Sequence, residues 1–331
     1  MVDNKQNIGK VAVLMGGPSA ECEISLKSGA AVLAALQDSG VDAVAINVSK
    51  DDPGEIFEKL RSEKFERVFI ALHGPLGEDG CIQGGLEVLG LPYSGSGVMA
   101  SSICMSKLMT KQIWQGCEIP TPKYRVLSQQ IDEEELIADL GLPMIFKPVS
   151  QGSSIGMTKV NSRAEIASAW RSARSFEETV IAEQWVEGGE YTVAVLNGDA
   201  LPVIRLETPR SFYDYDAKYQ SNDTQYHCPC GLPKLLEKQI QDLALQAFNA
   251  TEASGWGRVD VMLDKDNQPW FLEVNTVPGM TDHSLVPMAA RAKNISFNEL
   301  VIKILQTSFK EDSNNSLSAP TKQFSENYNL A

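Results

Sequence analysis

The chain has 331 residues, 43% of them hydrophobic and 22% charged, an ordinary globular composition with room for two or three domains. Twenty-nine basic against 43 acidic side chains leave a formal charge of −14, which argues against DNA, RNA or an anionic membrane as the main partner. The six cysteines (Cys22, Cys81, Cys104, Cys117, Cys228, Cys230) form no CxxC pair and have only three histidines beside them, so idle thiols in a reducing cytoplasm are expected rather than a zinc site. No run approaches the roughly 18 apolar residues of a membrane span, and the polar first ten residues do not read as a signal peptide.

Val11-Ala12-Val13-Leu14-Met15 reads as a buried strand, broken by Gly16-Gly17 before a helix from about Ser19 to Gln37. Ala43 to Val48 and Val68 to Leu72 are the next strands, and strand–helix–strand repeats imply a parallel sheet. A glycine-rich loop, His73 to Gly80, leaves the third strand. One helix from Ser101 to Trp114 is expected, then a boundary at Ile119-Pro120-Thr121-Pro122. Met144 to Lys147 and Gly156 to Val160 look like an antiparallel pair around a polar loop. Val180 to Trp185 and Tyr191 to Leu196 are further strands, and Lys234 to Ser254 is a long amphipathic helix. Gly257 to Leu263 and Trp270 to Val274 frame a turn at Asp264-Lys265-Asp266-Asn267. The last 20 residues are aperiodic and read as a disordered tail, and no internal repeat is visible.

Four stretches carry chemistry. Glu273 and Asn275, two residues apart, share one face of a strand, and Asp260 interrupts the neighbouring apolar strand. Three hard oxygen donors on adjacent strands suit Mg²⁺, although Asp260 could instead pair with Arg258 while Asn275 caps a turn. Lys147 ends a strand and leads into Ser150-Gln151-Gly152-Ser153-Ser154-Ile155-Gly156, whose N–H groups could wrap phosphates or form a simple hairpin. It is not the GxxxxGK[ST] loop. Glu21 opens a helix, where the dipole favours its charge and a substrate ammonium could meet it. Phe212 to Tyr219 is an aromatic run in a long loop, read either as a lid or as a surface loop.

Taken in order, Gly16-Gly17-Pro18-Ser19-Ala20-Glu21, His73-Gly74-Pro75-Leu76-Gly77-Glu78-Asp79-Gly80, Pro92 to Gly97, Lys147-Pro148, Gly152 to Gly156, Tyr213 to Tyr219, Gly257-Arg258-Val259-Asp260 and Glu273 to Thr276 with Pro278 to Thr281 resemble the D-alanine–D-alanine ligase family of ATP-grasp enzymes, over roughly residues 10 to 308. The resemblance implies an α/β ATP-grasp fold: a Rossmann-like parallel-sheet domain over 1–107, a central nucleotide-clamp subdomain over 108–190 and a C-terminal subdomain over 191–310, with 311–331 as tail. It implies ATP and two Mg²⁺ (or Mn²⁺) as cofactors, D-alanine as substrate, a homodimer, and a reaction through D-alanyl phosphate. Asp260, Glu273 and Asn275 would hold metal, while Lys107, Lys147, Ser154, Glu183, Trp185, Glu190 and Lys218 would meet the nucleotide. Arg258 and the Gly279 N–H would form an oxyanion hole. Glu21 would anchor the first D-alanine and Ser284 the second, Ser153 and Tyr219 would link the lid to Glu21, and His73 would face the first substrate. Cys22 and Gln184 depart from the family's usual basic residues. A D-alanine–D-lactate ligase is the nearest rival, disfavoured by Tyr219. A nucleotide sensor without catalysis is disfavoured by the intact charged set, and a dinucleotide oxidoreductase by the missing GxGxxG.

Overall fold

The computed structural model describes residues 8–127, 131–209 and 223–309, so the expected tail and the run Phe212 to Tyr219 lie outside the described residues. Strand β1 (Val11–Gly16) is buried along its whole length. It pairs in parallel with β2 (Ala43–Val48) on one side and β3 (Arg67–Ile70) on the other, Val11 lying opposite Ala43 and Arg67. A strand enclosed in this way has no solvent face, which is why it runs apolar instead of alternating. Helices α1 (Cys22–Asp38) and α2 (Glu55–Ser62) make the two crossovers, and α3 (Cys81–Leu89) follows the glycine-rich loop.

The single helix expected from Ser101 to Trp114 is two: α4 (Val98–Met105) and α5 (Lys107–Gly116). Ser106 is extended between them, and its hydroxyl accepts the Met109 N–H as an N-cap. The restart places the Lys107 N–H on Val149 O at 2.9 Å, tying the new helix to the start of the Gly/Ser loop.

The second sheet holds β4 (Tyr124–Leu127), β5 (Met144–Pro148), β6 (Thr158–Val160) and β7 (Val180–Gln184) in the order β4-β7-β5-β6, and the expected antiparallel pair is β5 with β6. Helices α6 (Glu133–Leu140) and α7 (Arg163–Arg174) cover one face, burying Met144, Phe146, Val160, Ile166 and Ala182.

The third sheet runs β11-β10-β8-β12-β13 and comprises β8 (Gly188–Leu196), β10 (Ile204–Glu207), β11 (Gln225–His227), β12 (Trp256–Asp264) and β13 (Pro269–Asn275), with the short β9 (Asp199–Ala200) beside β8. Helix α8 (Lys234–Ala250) and Trp114 of α5 pack on its core face against Val259, Val261 and Phe271. β12 alternates strictly, so Arg258, Asp260 and Met262 face away from that core. β13 does not. The register passes from Asp260↔Glu273 to Val261↔Phe271, leaving Leu272 as an extra residue in a β-bulge. Regular alternation would put Phe271 on one face with Glu273 and Asn275. The bulge lets Phe271 and Val274 enter the core while both polar residues point the other way. Finally α9 (Leu285–Ala292) and α10 (Phe297–Gln306) return to the parallel sheet, so that Leu300, Val301, Ile304 and Leu305 share a core with Val11 to Leu14.

Candidate active site

Between the second and third sheets lies a cleft of about 290 Å³. Of the residues expected at nucleotide and metal, Lys107, Lys147, Ser154, Glu183, Trp185, Glu190, Asp260 and Glu273 line it, Asn275 does not, and Lys218 lies outside the described residues. Ile145, Met262 and Leu272 add apolar surface of the kind a flat aromatic ring requires. Sequence reasoning did not single out these three, because an apolar side chain facing a cleft looks the same in sequence as one facing a core.

Three charged side chains are sealed into one wall. Lys147 Nζ lies 2.7 Å from Glu183 Oε1, and Lys111 Nζ lies 2.8 Å from Glu183 Oε2. Their side chains are only 7%, 2% and 1% exposed in the order Lys147, Glu183, Lys111. Burial pushes the Lys111 ammonium down to about 8, against the pull of Glu183. Burial also pushes the Glu183 carboxyl up, but the two lysines outweigh it and hold it below its ordinary value. Lys111 was missed in the sequence. The available signal was its place one turn after Lys107 on the same helix face.

The opposite wall carries the oxygen donors. Arg258 forks onto Asp260, Nε to Oδ1 at 2.8 Å and Nη2 to Oδ2 at 2.7 Å. Asn275 Nδ2 donates to Asp260 Oδ2 at 3.0 Å, and Thr192 Oγ1 donates to Oδ1 at 2.6 Å. Glu273 Oε2 pairs with Lys107 Nζ at 3.2 Å, and that ammonium also donates to Gln151 O at 2.8 Å. Asp260 thus pairs with Arg258 and also adjoins Glu273 across the ladder. Among the described residues no three His, Cys, Asp or Glu side chains converge. The donor set is thus two carboxylates and one amide, hard oxygens that fit a cation also bound to phosphate and water. Asn275 would have to turn its amide to present Oδ1.

Beyond the Gly/Ser loop is a third group. Ser153 and Ser154 are left-handed, with φ of 51° and 60°, and the Ser153 hydroxyl donates to Glu21 Oε1. Glu21, the residue just before α1, is 7% exposed, and glycines crowd its carboxylate. A Cβ added at Gly152 would lie 3.0 Å from Oε2, and one at Gly74, 2.7 Å. Glu78, not singled out from the sequence, accepts the Gly74 N–H at 2.6 Å, and burial with the nearby Glu21 charge pushes it up to about 8. Ser284 accepts the Thr281 N–H at 2.9 Å, and its Oγ would lie 3.0 Å from a Cβ at Gly279. His73, expected to face the first substrate, is 5% exposed, and its ring nitrogens lie 2.9 Å from Val277 O and 3.1 Å from Ser28 Oγ. Tyr219 and Lys218 lie outside the described residues.

A parallel α/β unit followed by two antiparallel sheets, closing on a lysine- and carboxylate-lined cleft, defines the class: this is an ATP-grasp fold. Residues 51–96 match the family profile "D-ala D-ala ligase N-terminus" and residues 113–306 match "D-ala D-ala ligase C-terminus". A D-alanine--D-alanine ligase of Pseudomonas entomophila is 55% identical over 300 residues, which are 91% of this chain and 93% of that one. The crystal structure of the D-alanine--D-alanine ligase from Bacillus anthracis superposes with a TM-score of 0.81 at 35% identity, covering 91% of this chain and 97% of that one. The same enzyme complexed with ATP gives 0.80 at 33% identity, with the same coverage. The chain belongs to the D-alanine–D-alanine ligase family.

Proposed function

We propose that the three groups divide the labour of an ATP-dependent ligase that joins two D-alanines into D-alanyl-D-alanine, a precursor of peptidoglycan. One juxtaposition carries this reading. Lys107 pairs with Glu273 and donates to the Gly/Ser loop at Gln151, while Ser153 of the same loop reaches Glu21. Nucleotide, metal and amino-acid groups therefore meet at one loop.

Glu21 receives the ammonium of the first D-alanine, leaving its carboxylate to attack the γ-phosphate and form D-alanyl phosphate. Lys107 and Lys147 position and neutralise the phosphates, and the purine lies against Trp185 with Glu190 at the ribose. Glu183 acts by holding Lys147 in place. Asp260, Glu273 and Asn275 would hold Mg²⁺ (or Mn²⁺), which when bound neutralises charge between the phosphates. The amine of the second D-alanine, held through its carboxylate by Ser284, then attacks the activated carbonyl, and phosphate leaves. Arg258 and the Gly279 N–H stabilise the tetrahedral oxyanion. Tyr219 and Lys218 are assigned to the closing lid and the nucleotide from the family pattern. The division at residues 107 and 190 is one of function rather than of packing, since α9 and α10 share the first core. Family membership supports a homodimer working in the cytoplasm, and among the described residues no helix is long and apolar enough to cross a membrane.

The test is ADP release with D-alanine alone and with D-lactate added. D-alanine-dependent release with dipeptide as product is expected. Absence of D-alanine-dependent ADP, or an ester as main product, would overturn the reading.

A further inference from the structure

The segment Val277-Pro278-Gly279-Met280 carries the oxyanion N–H, yet few of its anchors come from its own sheet. His73 Nδ1 lies 2.9 Å from Val277 O. A carbonyl only accepts, so Nδ1 carries the proton and Nε2 is the acceptor. Nε2 lies 3.1 Å from Ser28 Oγ, whose hydroxyl therefore donates to the ring. The same Oγ accepts the Met280 N–H at 3.1 Å. On the other side, Glu78 Oε1 accepts the Val277 N–H at 3.3 Å. The His73–Ser28 bond lies within the parallel-sheet domain, and the other three cross from it to the segment. Together they take both backbone groups of Val277 and the N–H of Met280, bracketing Pro278-Gly279.

The bracket is also wired to the first-substrate site. Ser19 Oγ donates to His73 O at 2.7 Å and accepts the Glu21 N–H at 3.1 Å. Ser28 is completely buried and His73 nearly so, and both side chains are engaged by these bonds. Burial also pushes the imidazole below its ordinary value, in keeping with a neutral ring.

We infer that His73 and Ser28 are positioning residues: through Val277 and Met280 they fix the Gly279 N–H that stabilises the oxyanion, and His73 does not itself touch the first substrate. This rests on the ligase reading above. A positioning role predicts loss in turnover rather than in substrate affinity, because the misplaced donor matters only once the tetrahedral oxyanion has formed.

The experiment uses the full chain. Ser28→Ala removes one hydroxyl and leaves the packing, and it should lower kcat roughly 10- to 100-fold while the D-alanine and ATP KM values stay within about twofold. His73→Ala should behave alike, and His73→Asn, whose amide N–H can still reach Val277 O, should recover much of the loss. ¹⁵N spectra of the wild-type imidazole should show the Nδ1-protonated neutral ring, unmoved when D-alanine is added. A raised D-alanine KM at unchanged kcat, an Nε2-protonated ring, or a ring signal that shifts on D-alanine binding would each overturn the inference. Should His73→Ala fail to fold, Ser28→Ala and the wild-type spectra still decide. Wild-type protein without D-alanine-dependent ADP release would remove the ligase reading itself, an outcome distinct from a variant that keeps full kcat.

Discussion

Two sets of ion pairs face one cleft from opposite walls. The Lys147–Glu183–Lys111 set is between 1% and 7% exposed, whereas the Lys107–Glu273 and Arg258–Asp260 pairs range from 10% to 24%. Both pair basic side chains with carboxylates at similar distances. The difference is how much water reaches them. A sealed pair cannot lose a partner without leaving an uncompensated charge in a low dielectric. A partly wet pair can exchange its partner for a cation or phosphate, since solvent and incoming ligand share the cost. The first wall thus keeps its pairs while it presents Lys147 to the cleft, and the second is a shelf held ready by groups that can let go.

The same substitution on each wall tests this most sharply. Glu183→Gln leaves two buried lysines without their carboxylate and should cost about 3–5 kcal/mol of stability in urea denaturation. A cost under about 1 kcal/mol would erase the distinction. Glu273→Gln should change stability by no more than about 1 kcal/mol, because Lys107 keeps its bond to Gln151 O. ADP release at ordinary Mg²⁺ should nevertheless fall roughly 100-fold or more, beyond what loss of an outer-sphere metal partner costs. Near-normal release would mean that Glu273 holds no metal. On the amino-acid side, Ser284→Ala should raise the KM for the second D-alanine through loss of one charge-assisted hydrogen bond, about 1.5–3 kcal/mol. A covalent acyl group trapped on Ser284 would contradict a binding role.

The last expected effect is a pH signature of the sealed wall. Lys111 titrates at about 8 in the fold against 10.5 as its ordinary value, so the unfolded chain binds the extra proton between those limits. Its contribution is fully present above 10.5 and is lost as pH falls through about 8, so stability should rise across that window. Lys111→Met should flatten that slope in denaturation curves taken at pH 7.5 to 10.5.

Much of this was legible in the sequence. Val11 to Met15 reads as an enclosed strand because nothing polar interrupts it, and Arg258, Asp260 and Met262 alternate cleanly with core valines. What stayed hidden depends on partners far away in the chain. Lys111 looks like any helical lysine until Glu183 arrives 72 positions later to neutralise it. His73 sits in a glycine-rich loop, and no local pattern reveals that its ring bonds to the distant Val277 carbonyl and to Ser28. The Ser106 cap divides a helix whose apolar periodicity runs through the break. Leu272 is the subtlest case, because a bulge changes which face its neighbours occupy without changing their identity.

The shared core of the first strand and the last two helices has a consequence for how the protein is made. Val11 to Leu14 leave the ribosome long before the surface they pack against is completed by Leu300 to Leu305 of α10, which ends at Gln306. Almost the whole chain must be synthesised before the opening strand finds its lid of apolar side chains. Until then the parallel sheet exposes one unclosed face, and its closure is a contact between the two extremes of the sequence, the slowest kind to form. Because that face is sealed by the helices that follow Ser284, a nascent chain interrupted before α10 would carry a finished nucleotide cleft beside a sticky, unfinished substrate domain.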